Sequence, residues 1–467
     1  MTHELRPYPE YKDSGLPWLD NIPANWEVRR NGRLFAERKE TGYPDLPILE
    51  VSLRTGVRVR DFEDSNRKQV MSNRDKYKRA AKGDVAYNMM RMWQGAVGAA
   101  PVDGLISPAY VVARPIPETE TRYYAYLFRT GAYMNEVNKY SHGIVTDRNR
   151  LYWDEFKQMP SVFPPPDEQR TIADFLDQNG QLVQRFIRNK RRLIKLLNEQ
   201  KHAIISRAVT RGINSAIRLK ASGVDWLGDV PEHWDIQRLK RLTRFENGLP
   251  FKPSDWKGSG VPIIRIQNLN GSGRFNYTDR KDLPENLLIS HGELLFSWSG
   301  NRGTSFGPFL WDRPFGGYLN QHIFKLNRYS LDTKFFYYLL RAVTRHVEEQ
   351  THGIIGLVHI TKPELGVVQV PVPPPNEQKS IASHLDEACA DGNMLQRARR
   401  EIDLILEYRT RLISDVVTGK LDVRHLASQA IALSTEDLEP LPDGEAIDDE
   451  LQDSGDLEAV EEVADAD

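Results

Sequence analysis

The sequence has one cysteine, Cys389, in 467 residues. An internal disulfide framework and a cysteine-rich zinc site are therefore excluded. Cys389 falls on the inner face of a predicted helix, where we expect a small buried hydrophobic residue and not a nucleophile. No run approaches the ~18 uninterrupted apolar residues of a membrane span, and no apolar stretch follows the charged N-terminus. We therefore expect a soluble, cytoplasmic protein.

Basic residues are missing from the C-terminal end. No Lys or Arg follows Arg424, and residues 425–467 contain 15 Asp and Glu. The net charge is −2, but without this segment 63 basic residues face 50 acidic ones, a balance of +13. A basic body with an acidic extension is typical of a nucleic-acid-binding protein. The alternative is a basic body that only repels itself. We expect the acidic, aromatic-free tail to be disordered.

Catalytic motifs are also missing. Gly419-Lys420 is followed by Leu421 without a glycine cradle for phosphate, and neither an HExxH run nor a paired CxxC occurs. Phe163–Pro166 lacks both ends of the loop that amino-methyltransferases use. His142 and His352 occupy equivalent places without an evident partner. We predict no catalytic residue, no metal site and no bound cofactor in this chain.

Two segments of the sequence occur twice. A Pro-Pro-Pro-x-Glu-Gln segment begins at Pro164 and again at Pro373, 209 residues later. An earlier Lys-x-Ser-Gly-x-x-Trp-Leu-x-x-x-Pro-x-x-Trp segment begins at Lys12 and again at Lys220. A repeat at this distance indicates two versions of one unit. We expect its two Trp residues to anchor each domain on its own core, with base stacking as the alternative.

A long helical pattern follows each proline run. Apolar residues recur with steps of three and four, close to a seven-residue period, at Leu176, Val183, Phe186, Leu193, Leu197 and Ile204, and at Leu385, Leu395, Ile402, Leu406 and Ile413. Glu168 and Glu377 fall in the first turn, where the helix dipole favours them, and Gly212 and Gly419 follow the ends. About 43 residues give roughly 65 Å of helix. We expect the two helices to pair antiparallel; the alternative is that each packs on its own domain.

Residues 29–160 and 237–370 mix short β-branched runs with turns and a few helical patterns. The predicted fold class is α+β, with two tandem mixed α/β domains, each followed by a long helix, and the two helices pairing as an antiparallel coiled coil. The predicted boundaries are 1–165 (first domain), 166–212 (central helix), 213–373 (second domain), 374–424 (C-terminal helix) and 425–467 (acidic tail).

Polar loop residues in the two domains are candidates for contact with DNA. Residues 54–82 hold ten Lys or Arg against four Asp or Glu, which suits phosphate binding. Base reading needs bidentate donors such as Arg, Asn and Gln. Each candidate could equally be a solvated loop residue. The candidates are Arg54, Arg58, Arg60, Lys78, Arg79, Asn88, Arg91 and Gln94 in the first domain, and Arg265, Gln267, Asn268, Asn270, Trp298, Asn301 and Arg302 in the second.

The two doubled segments, with a doubled Ile-Ser-x-x-Val-Thr at the helix ends, resemble the specificity subunit of type I restriction-modification systems over residues 11–424. The resemblance implies two target-recognition domains, DNA-sequence recognition without catalysis, and no cofactor in this chain. It implies as partners double-stranded DNA, two modification subunits that methylate adenine with S-adenosylmethionine, and restriction subunits that use ATP and Mg. The acidic tail departs from that pattern.

Diverged loops on two similar domains predict a bipartite, asymmetric DNA site. We expect the partner face on Arg185, Arg188, Arg191 and Arg192 of the first helix and on its counterpart, since pseudo-two-fold symmetry gives two similar docking sites. Three alternatives remain: an enzyme acting alone, a coiled-coil adaptor without a DNA role, and the specificity subunit of a related system with a fused methyltransferase-nuclease partner.

Overall fold

The computed structural model describes residues 5–53, 55–60, 74–142, 149–271, 273–350, 357–390 and 392–429. The described chain divides into two compact units. Unit 1 comprises the residues up to Lys190 and those from Arg399 onwards, and unit 2 comprises Arg191–Ala398. Each unit therefore contains one mixed domain and a part of both long helical segments. Among the described residues, no helix is long and apolar enough to cross a membrane.

Unit 1 begins with twelve short strands and three short helices. The strands are Tyr11–Leu16 (β1), Leu19–Pro23 (β2), Glu27–Arg30 (β3), Phe35–Glu37 (β4), Leu49–Ser52 (β5), Gly56–Val59 (β6), Lys78–Ala80 (β7), Val85–Asn88 (β8), Val97–Ala99 (β9), Gly104–Ile106 (β10), Tyr110–Pro115 (β11) and Pro160–Phe163 (β12). The helices are Thr121–Phe128 (α1), Gly131–Tyr140 (α2) and Trp153–Phe156 (α3), followed by the long helix Pro166–Arg211 (α4).

The centre of unit 1 is an antiparallel sheet with the order β4-β11-β8-β9. Strand β8 pairs with β11 so that Ala86 lies opposite Val112. Both residues are fully buried, as expected for neighbouring central strands of a covered sheet. Helices α1 and α2 cover one face through Tyr124, Phe128 and Tyr133, which are fully buried in the same core as Tyr87.

Unit 2 contains fourteen short strands. They are Leu219–Ala221 (β13), Asp229–Pro231 (β14), Asp235–Arg238 (β15), Arg244–Asn247 (β16), Val261–Ile264 (β17), Asn276–Thr278 (β18), Leu288–Ile289 (β19), Leu294–Ser297 (β20), Ser299–Asn301 (β21), Gly307–Leu310 (β22), Gly317–Leu319 (β23), Ile323–Asn327 (β24), Leu357–His359 (β25) and Gln369–Val372 (β26). Its helices are Leu239–Leu242 (α5), Ile266–Leu269 (α6), Thr333–Gln350 (α7), Lys362–Val367 (α8) and Pro375–Cys389 (α9), and Gly392–Val417 (α10) continues into unit 1.

The central sheet of unit 2 repeats that of unit 1, with the order β16-β24-β20-β22. The hairpin β13-β14 corresponds to β1-β2, and the pair β15-β26 corresponds to β3-β12. Helix α7 buries Phe335, Leu339 and Val343 at helical spacing against this core. A second sheet, β18-β17-β23-β19, has no four-stranded counterpart among the described residues of unit 1. The predicted fold class is therefore confirmed. The two units share the central sheet and the flanking strand pairs, and they differ in the additional sheet of unit 2.

The long helices pair antiparallel, as predicted. In unit 1 the start of α4 (Ile172, Leu176) shares a core with the end of α10 (Leu412, Val416). In unit 2 the end of α4 (Ile205, Val209) shares a core with Ile381 and Leu385 of α9. Each helix also packs on the domain at its end, so pairing and domain packing occur together. The predicted stripe is wrong at Phe186 and Leu193, whose side chains are 37% exposed, because Ile187 takes the inward position.

Two further expectations needed correction. The second helical segment is two helices, α9 and α10, with Ala390 outside both. The chain before Tyr11 also joins unit 1, since Tyr8 is buried in its core. Residues 424–429 form a 3-10 helix whose Leu426 packs on that core, and the rest of the predicted tail lies outside the described residues. Cys389 is partly buried against the core of unit 2.

Candidate nucleic-acid interface and helix-start contacts

Two loops occupy the same place in the two central sheets. Loop A (residues 89–96) joins β8 to β9, and loop B (residues 298–306) joins β20 to β22. Strand β8 and strand β20 hold equivalent positions in sheets of the same order. Each loop carries an exposed arginine, Arg91 in loop A and Arg302 in loop B. The rest of their sequences differ, so one scaffold presents two different sets of side chains.

Loop A is a tight turn with a fixed backbone. The carbonyl oxygen of Arg91 accepts hydrogen bonds from the N–H groups of Gln94 and Ala96, both 3.0 Å long. The Asn88 Oδ1 atom accepts from the N–H of Met90 at 2.9 Å, and Trp93 Nε1 donates to the Met90 carbonyl at 3.0 Å. The side chains of Arg91 and Gln94 remain exposed. Their backbone is thus ordered before any ligand binds, which lowers the entropy cost of recognition.

Loop B is closed on itself and tied to a helix. The Asn301 carbonyl oxygen accepts from the N–H groups of Thr304, Ser305 and Phe306 at 3.1–3.3 Å. The N–H of Asn301 donates to Ser305 Oγ at 2.6 Å, and Asn301 pairs with Leu357 of β25. The N–H of Gly303 donates to Glu348 Oε1 of α7 at 2.9 Å. Glu348 is only 5% exposed, and this burial raises the pKa of its carboxyl group.

Two candidates of unit 1 have their cations engaged within the domain. Lys78 Nζ donates to the Tyr110 carbonyl at 2.7 Å, and burial lowers its pKa. Arg79 forms ion pairs with Asp103 at 2.7 Å and with Glu40 at 3.0 Å. Charges already paired inside the protein neutralise a phosphate less well. The structure therefore gives Lys78 and Arg79 a role in holding β7 and its neighbours, which composition did not predict.

Three candidates of unit 2 are likewise engaged. Asn268 Oδ1 accepts from the N–H of Arg265 at 2.9 Å, and its Nδ2 donates to the Arg274 carbonyl at 2.7 Å. Arg265 itself is 9% exposed, with its guanidinium 5.1 Å from the ring centre of Trp256. Trp298 stacks on Phe324 at 5.8 Å and donates from Nε1 to the Gln321 carbonyl. These side chains hold the fold together and present little polar surface to a ligand.

The remaining candidates are placed as follows. Arg58 is exposed and pairs with Glu50 at 2.6 Å, Arg60 is partly buried, and Gln267 and Asn270 are exposed in and just after α6. Arg54 lies outside the described residues, as does His352. His142 forms an isolated bridge with Arg150. On α4, Arg185 and Arg192 are exposed, and Arg188 and Arg191 are partly buried.

The glutamate of the repeated helix start contacts a buried tryptophan in both units. Glu168 is 6% exposed and accepts from Tyr8 Oη at 2.6 Å, Trp26 Nε1 at 2.9 Å and Asn25 Nδ2 at 3.0 Å. Glu377 accepts from Trp234 Nε1 at 3.0 Å and contacts His233 Nε2 at 2.6 Å. Trp26 and Trp234 are both fully buried, which confirms that this Trp of the entry repeat anchors its domain on the core. The hydrogen bond to Glu was not predicted, although the Trp-to-Glu separation is nearly constant, 142 residues in one copy and 143 in the other.

The other repeated polar residues of the helix start have matching partners. Gln169 Nε2 donates to the Pro164 carbonyl and its Oε1 accepts from the N–H of Glu120. Gln378 makes the same two contacts with Pro373 and Asp332. Asp177 accepts from Tyr126 Oη at 2.7 Å, and Asp386 accepts from Tyr338 Oη at 2.9 Å. The repeated residues are therefore the ones that fix each domain to the first turns of its helix.

The glycine that follows the end of each long helical segment lies beside the buried tryptophan of its own unit. Gly419 has φ +78°, and a Cβ added there would lie 3.1 Å from Trp26 Cη2. Gly212 has φ +74°, and its added Cβ would lie 3.4 Å from Trp234 Cζ2. Within unit 1, Trp26 thus touches the start of α4 and the end of α10. Within unit 2, Trp234 touches the start of α9 and the end of α4.

Comparison with known proteins agrees with this arrangement. Residues 231–401 match the model of the type I restriction modification DNA specificity domain. The chain is 27% identical over 285 residues to the type I restriction enzyme MjaVIII specificity subunit of Methanocaldococcus jannaschii, covering 58% of this chain and 64% of that protein. It is 23% identical to the putative MjaX specificity subunit of the same organism, covering 87% of this chain and 96% of that protein. Over most of its length the chain is therefore similar to specificity subunits of type I restriction-modification systems, and residues 231–401 match their DNA specificity domain.

The fold of this chain also matches a solved structure from a study of complex assembly and conformational transition of the type I R-M system. The match has a TM-score of 0.61 and 16% sequence identity, and it covers 86% of this chain and 99% of that one. The sequence match to the MjaVIII specificity subunit spans just under two thirds of that protein's length.

Proposed function

We propose that this chain acts as a specificity subunit and reads a bipartite, asymmetric DNA site, one half through loop A and the other through loop B. The observation that supports this is the equivalence of the two loops: they join corresponding strands of like sheets, yet their sequences differ. An arginine fork can donate two hydrogen bonds to guanine, and Asn or Gln can pair with adenine in the same bidentate way. Two scaffolds with unlike loops suit two unlike half-sites.

The side chains best placed for base contact are those that the fold leaves exposed. In unit 1 these are Arg91 and Gln94 of loop A. In unit 2 they are Arg302 of loop B, with Gln267 and Asn270 of the additional sheet region beside α6. Arg58 is exposed, but a phosphate would have to compete with Glu50 for its guanidinium group; such a contact would add affinity and salt dependence without sequence reading. We propose no DNA contact through Lys78, Arg79, Arg265, Asn268 or Trp298, because their polar groups or rings are engaged within the domains.

Methylome sequencing tests this proposal. The chain is expressed with its modification subunit in a host without other methylation, and the methylated motif is read. We expect two short half-sites separated by unspecified bases. Exchange of residues 29–160 for those of a relative should change one half, and the matched exchange of residues 237–370 should change the other. A change in both halves from either exchange, or in neither, would show that the loops do not divide the reading in this way.

We also propose that two modification subunits dock on the long helices, through a face that includes Arg185, Arg188, Arg191 and Arg192 of α4. The repeated starts and ends of the helical segments would give two similar sites, which fits two copies of one partner. The partners, including the restriction subunits, would supply S-adenosylmethionine, ATP and Mg. Charge reversal at Arg185 and Arg192 should weaken co-purification with the modification subunit, whereas Arg207→Glu, exposed further along α4, should not. An intact complex after reversal of the four arginines would contradict this face.

A further inference from the structure

Loop B lies against one face of α7. Thr344 and Glu348 are four residues apart, so they project from the same side of that helix. Gly307, where loop B enters β22, has φ +119°, and a Cβ added there would lie 2.9 Å from Thr344 Cγ2. One helical turn further on, Glu348 accepts the N–H of Gly303 at 2.9 Å. Loop B therefore touches α7 at both points.

The contact at Gly303 acts on the tip of the loop. Gly303 has φ +75° and follows Arg302 directly. The hydrogen bonds to the Asn301 carbonyl close the turn, and the pairing of Asn301 with Leu357 of β25 holds its first side. The bond from Gly303 to Glu348 holds its second side, because α7 is packed into the core through Leu340, Val343 and Val347. The Arg302 backbone thus lies between the strand contact at Asn301 and the carboxyl contact at Gly303.

A carboxyl group is an unfavourable choice at position 348 for folding alone. Its residue is 5% exposed, and burying a charged group is costly without partners. It lies in the last turn of α7, where the helix dipole disfavours negative charge. The positive charges of Arg302 and Arg345 offset part of this cost. One of these two offsetting cations is the exposed arginine of loop B itself.

We infer that Glu348 is a positioning residue for DNA reading by unit 2: it orients loop B so that Arg302 meets its base pair. Glu348 touches the loop backbone and does not itself contact DNA. This inference rests on the proposed function of loop B. The proposed function names the residues that contact the bases. The inference adds the residue that determines how accurately unit 2 recognises its half of the DNA site.

The test compares three variants of the full chain, each expressed with the modification subunit. Glu348→Ala removes the acceptor, Glu348→Gln keeps an oxygen that can accept from Gly303, and Glu349→Ala is the matched control at an exposed neighbour on α7. For Glu348→Ala we expect methylation at sites with one wrong base in the unit 2 half to rise about 10-fold relative to correct sites, as expected for loss of one charge-assisted hydrogen bond. The unit 1 half should stay unchanged. Glu348→Gln and Glu349→Ala should keep the full motif.

Several results would overturn the inference. An unchanged motif in Glu348→Ala would show that loop B does not depend on Glu348, and equal relaxation of both halves would show a general loss of folding. If Glu348→Ala does not assemble with the modification subunit, Glu348→Asp, which shortens the side chain by one methylene, replaces it and should relax the same half by a smaller factor. A wild-type motif without two halves would overturn the proposed function, whereas a bipartite motif that Glu348 variants leave unmoved would overturn this inference alone.

Discussion

Substitution of the helix-start glutamates should destabilise the two units unequally. Glu168 is buried and accepts three hydrogen bonds, two of them from the buried donors Tyr8 and Trp26. Burial, followed by Glu168 itself, raises the pKa of Tyr8, so its hydroxyl stays protonated as a donor. Glu168→Ala leaves both donors without an acceptor, at about 1–3 kcal/mol each, so we expect a loss of about 4 kcal/mol.

Glu377 provides the matched control. Its side chain is 34% exposed, and its second partner, His233, is 43% exposed. Water can replace much of what Glu377→Ala removes, so we expect a loss of about 1–2 kcal/mol. For units of this size about 1 kcal/mol shifts the melting temperature by roughly 3 °C, which gives about 12 °C for Glu168→Ala and about 4 °C for Glu377→Ala.

Thermal and urea unfolding of the full chain, followed by tryptophan fluorescence, measures both losses. The transition that each substitution shifts can be assigned to its unit, because Glu168 and Trp26 lie in unit 1 and Glu377 and Trp234 lie in unit 2. If Glu377→Ala costs as much as Glu168→Ala, or more, the reasoning from burial and donor count is refuted.

Three further predictions concern the helix ends, the α7 carboxyl group and the tail. Gly419→Ala should lower the free energy of unfolding in urea more than Gly212→Ala. Both residues have φ above +70°, where a side chain costs about 1–2 kcal/mol, but at Gly419 the added Cβ would also lie 2.4 Å from Pro23 Cδ. Equal losses for the two variants would contradict this prediction. Burial raises the pKa of Glu348 in the folded chain. The stability of the wild type relative to Glu348→Gln should therefore be highest below the unfolded pKa of about 4.3, and should fall as pH rises through the raised folded pKa. Urea unfolding of both chains across pH measures this difference, and a difference that does not change with pH would count against the prediction. Removal of residues 430–467 takes away all 15 acidic residues that follow Arg424 and changes the net charge from −2 to +13. The truncated chain should bind non-specific duplex DNA more tightly, and the increase should be measurable at low salt. A tail of the same composition in shuffled order should restore the original affinity.

The frame of this protein could be predicted from its repeats, because repetition reports which residues do the same job twice. The Trp anchors, the helix starts and the antiparallel pairing all followed from segments that recur at a constant distance. The partners within the repeat did not follow. Glu168 was assigned to the helix dipole, and its acceptor role for Trp26 requires the fold that brings residues 142 positions apart together.

The base-contacting residues could be predicted only as a class. Lys78 and Arg91 are both cations in turn-rich sequence, yet Lys78 is bound to the Tyr110 carbonyl and Arg91 is exposed. The difference depends on the packing that brings the Tyr110 carbonyl beside β7, and a contact across 32 residues cannot be derived from composition. Loops A and B carry Arg91, Gln94, Asn301 and Arg302, which the sequence offered as candidates. Their equivalence in the sheets became visible only with the strand order.

The interruption between α9 and α10 follows from a mismatch between the repeats. The helix-start segments are 209 residues apart, whereas the helix-end residues Thr210 and Thr418 are 208 apart. The second helical segment is therefore one residue shorter, which in a continuous helix would rotate everything beyond it by about 100°. Both of its ends nevertheless make the contacts that α4 makes, Glu377 with Trp234 and Gly419 beside Trp26. Asp386 still matches Asp177 at the offset of 209, whereas Ile413 matches Ile205 at 208, so the missing residue falls between Asp386 and Ile413. The break between α9 and α10 at Ala390 lies in the same interval, which the periodicity of the apolar residues alone did not predict.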